Sequence, residues 1–135
     1  MPQPETVLKN GRLVADDTRI VPLAELDEAL SGPGPIGVAI GNAEALEPVL
    51  PHLGLIQVIA LNFPRFNDGR AYSQARLLRE KHGYGGEIRA TGAVLRDQLQ
   101  FMARVGFDAF VVQDPDPLAA WRWAQSAITR RYQPA

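Results

Sequence analysis

The sequence predicts an α/β fold, and three features predict it. A nearly unbroken apolar run, LIQVIALN at 55–62, has the composition of a strand buried on both faces. Helical and extended stretches alternate around it from residue 36 to residue 130, with a second strand, GEIRAT, at 86–91. Asn10-Gly11 lies between VLK and RLV, which signals a two-residue hairpin because both central positions need positive φ. Strands alternating with helices imply a parallel sheet with right-handed crossovers. The expected architecture is a four-stranded, mainly parallel sheet of βα repeats over 36–130, with an N-terminal hairpin and helix over 1–31 as an appendage. Together they form one domain, 1–135. A curved, half-barrel-like sheet with helices outside and an open doubly wound sheet with helices on both faces both fit this order. Glu87 and Arg89 favour the half-barrel. They share one face of a strand, and a polar concave cleft accommodates a charged pair better than a helix-covered face does.

Each element has its own signal. Asp16-Asp17 reads as a solvated loop. Pro22 opens a short helix over 22–30, with Leu23, Leu26 and Leu30 at helical spacing. Gly32, Gly34 and Gly37 match the G-x-G-x-x-G spacing of a dinucleotide loop, but they precede the strand at 36–40 and are interrupted by Pro33 and Pro35, so they read as a plain loop. Gly41-Asn42 turns and caps a helix from Ala43, kept short by Pro48 and Pro51 and ended by Gly54. The organising strand begins at Leu55. Ala71, Ala75 and Leu78 form the apolar stripe of a helix over 71–82, stopped by Gly83. Tyr84 anchors the loop before the next strand. Leu95, Leu99 and Met102 mark another helix, stopped by Gly106. A fourth strand covers 107–112. Asp116 caps the last helix and Pro117 takes its first position. Ala120, Trp121, Ala124 and Ile128 line its buried side, and Trp123 points elsewhere.

Composition bounds the function. The chain has 135 residues, 46% hydrophobic and 21% charged, which suits one globular domain. A net charge of −1 gives no general attraction to nucleic acid or anionic membranes. There is no apolar run of transmembrane length and no signal peptide at Met1, so a cytoplasmic location is expected. With no cysteine, the chain has no disulfide, no thiolate zinc site and no iron–sulfur ligands. Two separated histidines, His52 and His82, do not make a metal cage. The expectation is no metal and no cofactor.

In either arrangement the carboxyl ends of the strands hold the candidate site. That rim collects Asn62, Arg65, Asp68, Arg70 and Thr91, with Arg89 inside the neighbouring strand. Arg65 and Arg70 beside the start of a helix make an oxyanion site, since guanidinium forks bind oxyanions bidentately. Tyr72 covers it or packs. The plainer reading is that Asp68-Gly69 makes the turn and the two arginines are solvated or paired with Asp68. Glu87 is the candidate general base; its pairing with Arg89 or Arg96 is the plainer reading. Arg96-Asp97 reads as a solvated face.

The second half of the chain resembles the domain of unknown function 934 family of bacterial proteins. The resemblance rests on Phe63-Pro64-Arg65-Phe66, Asp68-Gly69-Arg70, Tyr72-Ser73, Ala75-Arg76-Leu77-Leu78-Arg79, Arg89-Ala90, Gly92, Leu95-Arg96-Asp97-Gln98, Gly106-Phe107 and the terminal Tyr132-Gln133. The resemblance implies a gene neighbourhood with assimilatory sulfite reductase, and members are sometimes labelled oxidoreductases of sulfite reduction. It carries over no catalytic residue. A redox protein needs a cofactor or a redox-active side chain, and this chain offers no cysteine and no well-placed dinucleotide loop. The expected function is therefore an accessory protein of assimilatory sulfite reduction, which binds the reductase or a small oxyanion. The alternative is a small anion-binding enzyme of lyase or isomerase type, with Glu87 as base and Arg65, Arg70 and Arg89 as anion binders. An exposed concave sheet would also favour a homodimer.

Overall fold

The computed structural model describes residues 5–65 and 69–132, with side chains through residue 126. Its centre is a curled, half-barrel mixed sheet of seven strands in the order β2-β1-β7-β6-β5-β4-β3. The strands are β1 (Glu5–Lys9), β2 (Arg12–Asp16), β3 (Arg19–Pro22), β4 (Ile36–Ile40), β5 (Val58–Phe63), β6 (Glu87–Gly92) and β7 (Ala109–Phe110). Strands β3 to β7 run parallel and β1 pairs antiparallel with both β2 and β7. The expectation of four strands is corrected to seven.

The difference lies in the N-terminal segment. Its hairpin forms at Asn10 (φ 54°) and Gly11 (φ 73°), as the sequence predicts. It lies at one edge of the sheet, as an appendage covering an edge would, but it joins the sheet as two further strands, because β1 supplies a partner for the outer edge of β7. Residues 19–22 then form β3 rather than loop and helix start. Pro22 ends that edge strand in an extended conformation, φ −62° and ψ 156°. Edge positions tolerate a residue without an N–H. Only Asp17 and Thr18 separate the outermost strands β2 and β3. Three Cα–Cα steps reach about 11 Å at most, so the two edges must approach each other at one end, and the sheet must curl.

Helices α1 (Leu26–Leu30), α2 (Arg70–Arg76), α3 (Leu99–Val105) and α4 (Pro117–Tyr132) share one core with one side of the sheet. Ile40, Leu61, Ala90, Phe110 and Leu8 lie in register across that side. Ala71, Ala75, Leu78, Leu99, Met102, Ala120 and Ala124 pack against it from the helices. Trp121 stacks at a tilt on Phe110, with ring centroids 5.9 Å apart. Asp116 caps α4 as expected, accepting the Ala119 N–H at 3.1 Å. Trp123 is partly exposed, and Ile128 lies outside the described side chains.

Two other expectations change. No α-helix follows β4; residues 50–55 form a 3-10 turn instead, since Pro48 and Pro51 remove N–H donors that a longer helix needs. Leu55 belongs to that turn and is 65% exposed, so the central strand starts three residues later, at Val58. The fourth predicted strand pairs on both sides only at Ala109 and Phe110, although Asp108 and Val111 extend its ladder with β6. The stop at Gly83 holds, with φ 63°, after α2 continues as a π turn over Leu77–Lys81.

Tyr84 anchors the entry to β6. Its hydroxyl donates to the Ile56 carbonyl at 2.9 Å in a buried bond, and Arg79 donates to the carbonyls of Tyr84, Gly86 and Gly106. Burial pushes the Tyr84 phenol well above its ordinary range. Tyr84→Phe is expected to lower stability by about 1–3 kcal/mol, because the Ile56 carbonyl loses its donor. The native pKa is raised, so the contribution of the phenol is complete below its unfolded value of about 10 and is lost as pH rises through the native value. Urea titrations at neutral and alkaline pH measure both effects; a wild-type profile as flat as the Phe variant's would rule out the second.

Candidate functional site

The opposite side of the sheet is concave and lined by small residues. One row in register reads Ala39, Ala60, Arg89, Ala109 and Lys9. Alanines on both sides of Arg89 leave room for its guanidinium, and a cleft of about 520 Å³ opens beside it. Ala39, Ala60, Thr91 and Ile20 line this cleft, together with Glu5 and residues 16–19.

Arg89 is 1% exposed and is held by three carboxylates. Its Nε donates to Glu87 at 2.8 Å, one terminal nitrogen to Glu5 at 3.1 Å and the other to Asp16 at 2.5 Å. Glu87 in turn accepts from Lys9 Nζ at 2.8 Å. That hydrogen bond raises the Lys9 ammonium above its ordinary pKa against the pull of desolvation. At Asp16 burial pushes the carboxyl up, but hydrogen bonds from Arg89 and Thr18 overcome it and leave the pKa below the ordinary value. Asp16 is therefore not the solvated loop residue expected. It closes the end of β2 onto Arg89.

The hairpin register explains why a cation is needed there. Glu5 lies directly opposite Asp16. Like charges facing across two strands repel, and Arg89 reaches both. Sequence reasoning missed Glu5 and Asp16 as partners of Arg89, and Lys9 as a partner of Glu87. The Asn10-Gly11 turn contained the signal, since counting outward from it pairs Glu5 with Asp16.

The remaining candidates divide between the two sides of the sheet. Asn62 and Thr91 are register partners at the carboxyl end of the concave face. Arg65 is an exposed residue just beyond β5. Asp68 lies outside the described residues. Arg70 begins α2 and lines a different cleft, between that helix and the loop after β4. Tyr72 packs edge-on to Phe63 and Phe101, at centroid distances of 4.9 and 4.8 Å, and its hydroxyl donates to Gln98 at 2.9 Å. Desolvation raises the Tyr72 phenol pKa. Of the predicted set, the fold brings Glu87, Arg89 and Asn62 to the concave face and puts Arg70 and Tyr72 on the helical layer. Glu87 pairs with Arg89, not Arg96. Arg96 is not simply solvated: it donates twice to Asp114, at 3.1 and 2.9 Å.

The profile described as bacterial protein of unknown function (DUF934) matches residues 37–135. The chain belongs to that family. No curated protein matches it. In this DUF934 protein the matched segment runs from β4 to the C-terminus and contains Arg89 and Glu87, whereas Glu5, Lys9 and Asp16 precede it. Among the described residues of the DUF934 chain, no helix is long and apolar enough to cross a membrane.

Proposed function

We propose that this DUF934 protein is an accessory protein of assimilatory sulfite reduction, acting by binding the reductase or an oxyanion rather than by redox chemistry of its own. The pathway comes from the family resemblance. The preference for binding over catalysis rests on one observation: the charged groups of the concave cleft are committed to one another. Glu87 receives hydrogen bonds from both Lys9 and Arg89, and a general base must first shed such partners to take a proton. Arg89 spends its donors on three carboxylates of its own chain. An anion competing for Arg89 would displace carboxylates already in place, which favours the reductase over an oxyanion as the partner. The absence of cysteine in the sequence supports the same reading.

The test is a pull-down with the tagged chain from cells grown on sulfate as sole sulfur source. Sulfite reductase is expected among the captured proteins, and the purified chain is expected not to turn over sulfite alone. Failure to recover the reductase under gentle, low-salt conditions would overturn the partner assignment.

A further inference from the structure

β2 is an outer strand of the sheet, and Arg12, Leu13, Val14 and Ala15 along it are exposed. Proteins blunt a free edge with a proline, a lysine or a bulge, because its unpaired N–H and C=O groups recruit another strand. The opposite edge, β3, ends in Pro22. β2 has no proline or lysine and pairs with β1 without a bulge. The hairpin decides which of its backbone groups are free. A two-residue turn with positive φ at Asn10 and Gly11 closes on a hydrogen-bonded pair, Lys9 and Arg12. Antiparallel pairs then alternate, so Val14 and Asp16 also bond to β1, while Leu13 and Ala15 direct their N–H and C=O groups outward. Among the described residues, no strand lies beyond β2 and no loop makes a backbone bond there.

The chemistry along this strand is self-complementary. β2 reads Arg-Leu-Val-Ala-Asp, a cation and an anion flanking an apolar centre. A two-fold axis through Val14 brings Leu13 opposite Ala15 of a second copy, and Ala15 opposite its Leu13. These are the residues whose groups point outward, so both pairs bond in full. The same axis puts Arg12 opposite Asp16 of the second copy, on the face they share with Val14. Each of these charges already faces a like charge within its own hairpin, Arg12 across from Lys9 and Asp16 across from Glu5. Like charges across a ladder repel, so each gains an opposite charge on its other side. Asp16 keeps its bonds to Arg89 and Thr18, since a carboxylate has about four lone-pair sites. Val14, 38% exposed, meets its own copy in a pair without backbone bonds, where side chains lie closest. A parallel, in-register pairing would instead oppose Arg12 to Arg12 and Asp16 to Asp16.

We propose that β2 is a dimerisation edge, joined antiparallel to β2 of a second copy of this chain about a two-fold axis at Val14. The contact is isologous and closes on itself, making one continuous sheet of both protomers. It uses the strand edge, not the concave face. The strand is short, so the association has the modest strength of a small interface. The inference does not rest on the role in sulfite reduction, so either can fail alone.

Sedimentation velocity of the full chain, from micromolar to near-millimolar concentration, tests it. A monomer–dimer equilibrium is expected. Arg12→Glu places a carboxylate across from Lys9 within the hairpin, so the monomer stays folded, but it repels Asp16 of the second copy and is expected to weaken dimerisation at least tenfold. Ala15→Pro removes an outward N–H, which an edge strand tolerates, and is expected to abolish the dimer; Arg12→Glu carries the test should Ala15→Pro not fold. The register has its own readout, because the chain contains no cysteine. Val14→Cys sets one thiol from each copy on Cα atoms about 4.5 Å apart, within disulfide reach. Leu13→Cys leaves the two thiols two positions out of register, on Cα atoms more than about 7 Å apart and out of reach. Mild oxidation is expected to give a covalent dimer from Val14→Cys and none from Leu13→Cys. A monomer at every concentration, which would leave the edge to a strand of another protein, a dimer unchanged by Arg12→Glu, or equal crosslinking of the two cysteine variants would each overturn the assignment.

Discussion

Arg89→Ala is expected to lower the unfolding free energy at pH 7 by about 3 kcal/mol, the low end of what breaking a buried ion pair costs. The substitution leaves Glu5, Asp16 and Glu87 gathered around a cavity with no central cation. Their side chains are 47%, 24% and 9% exposed, so solvent screens Glu5 most, and the loss comes mainly from Glu87 and Asp16. Lys9 still neutralises part of Glu87, which is why the low end applies. The pH dependence follows from Asp16. Its native pKa is below its unfolded value, so its stabilisation is present above the ordinary carboxylate pKa of about 3.9 and is lost as pH falls through the native value. Arg89→Ala removes the cation responsible, so wild type and variant should converge as pH falls into that window. Urea titrations at pH 7 and at a series of pH values descending below the ordinary carboxylate range measure both arms. A loss under about 1 kcal/mol at pH 7, the range of a surface pair, would mean that Arg89 does not hold the hairpin to the sheet.

The second large effect is expected at Gly92→Ala. Gly92 ends β6 at φ +83°, a conformation that L-residues adopt at a penalty of about 1–2 kcal/mol. An added Cβ would also fall on the Phe63 carbonyl oxygen and 2.5 Å from Asn62 Oδ1. Neither the backbone of β5 nor its neighbour can yield freely, because Phe63 O accepts the Ala93 N–H at 2.7 Å. Overpacking of this kind adds about 1–3 kcal/mol, so the total is roughly 2–5 kcal/mol. Gly69→Ala is the control, since nothing lies within 4 Å of its added Cβ. Chemical denaturation of both variants checks the contrast. Equal stabilities would show that the β5–β6 rim relaxes more easily than its contacts imply.

Much of the fold was legible from local chemistry. The Asn10-Gly11 turn, the stops at Gly83 and Gly106, and the cap at Asp116 are each decided by a few adjacent residues, and each is present. The placement of Glu87 and Arg89 on one concave face followed from a period of two and the energetic penalty of charges under helices. What local chemistry missed were partnerships between strands. VLK-NG-RLV announces a hairpin but does not say whether it covers a sheet or joins one. Arg19–Pro22 is too short, and ends in a residue too helix-compatible, to read as a strand without β4 beside it.

The candidate site divides the same way. By itself the sequence determined the residue types available: a charged pair on one strand, arginines after another and no thiol. Only the tertiary structure decided which of them meet. Arg89 lies 73 residues from Asp16 and 84 from Glu5 in the chain, yet bonds to both, because an antiparallel hairpin added to the β7 edge and a curled sheet carry them across the concave face. Arg70 after one strand and Arg89 inside the next both stand among the expected anion binders, and the fold separates them because one begins a helix and the other points from a strand into the cleft. Spacing along a chain fixes the face a side chain occupies within its own element. Which distant charge it meets there depends on strand order and curvature, and these are set by the packing of the whole sheet.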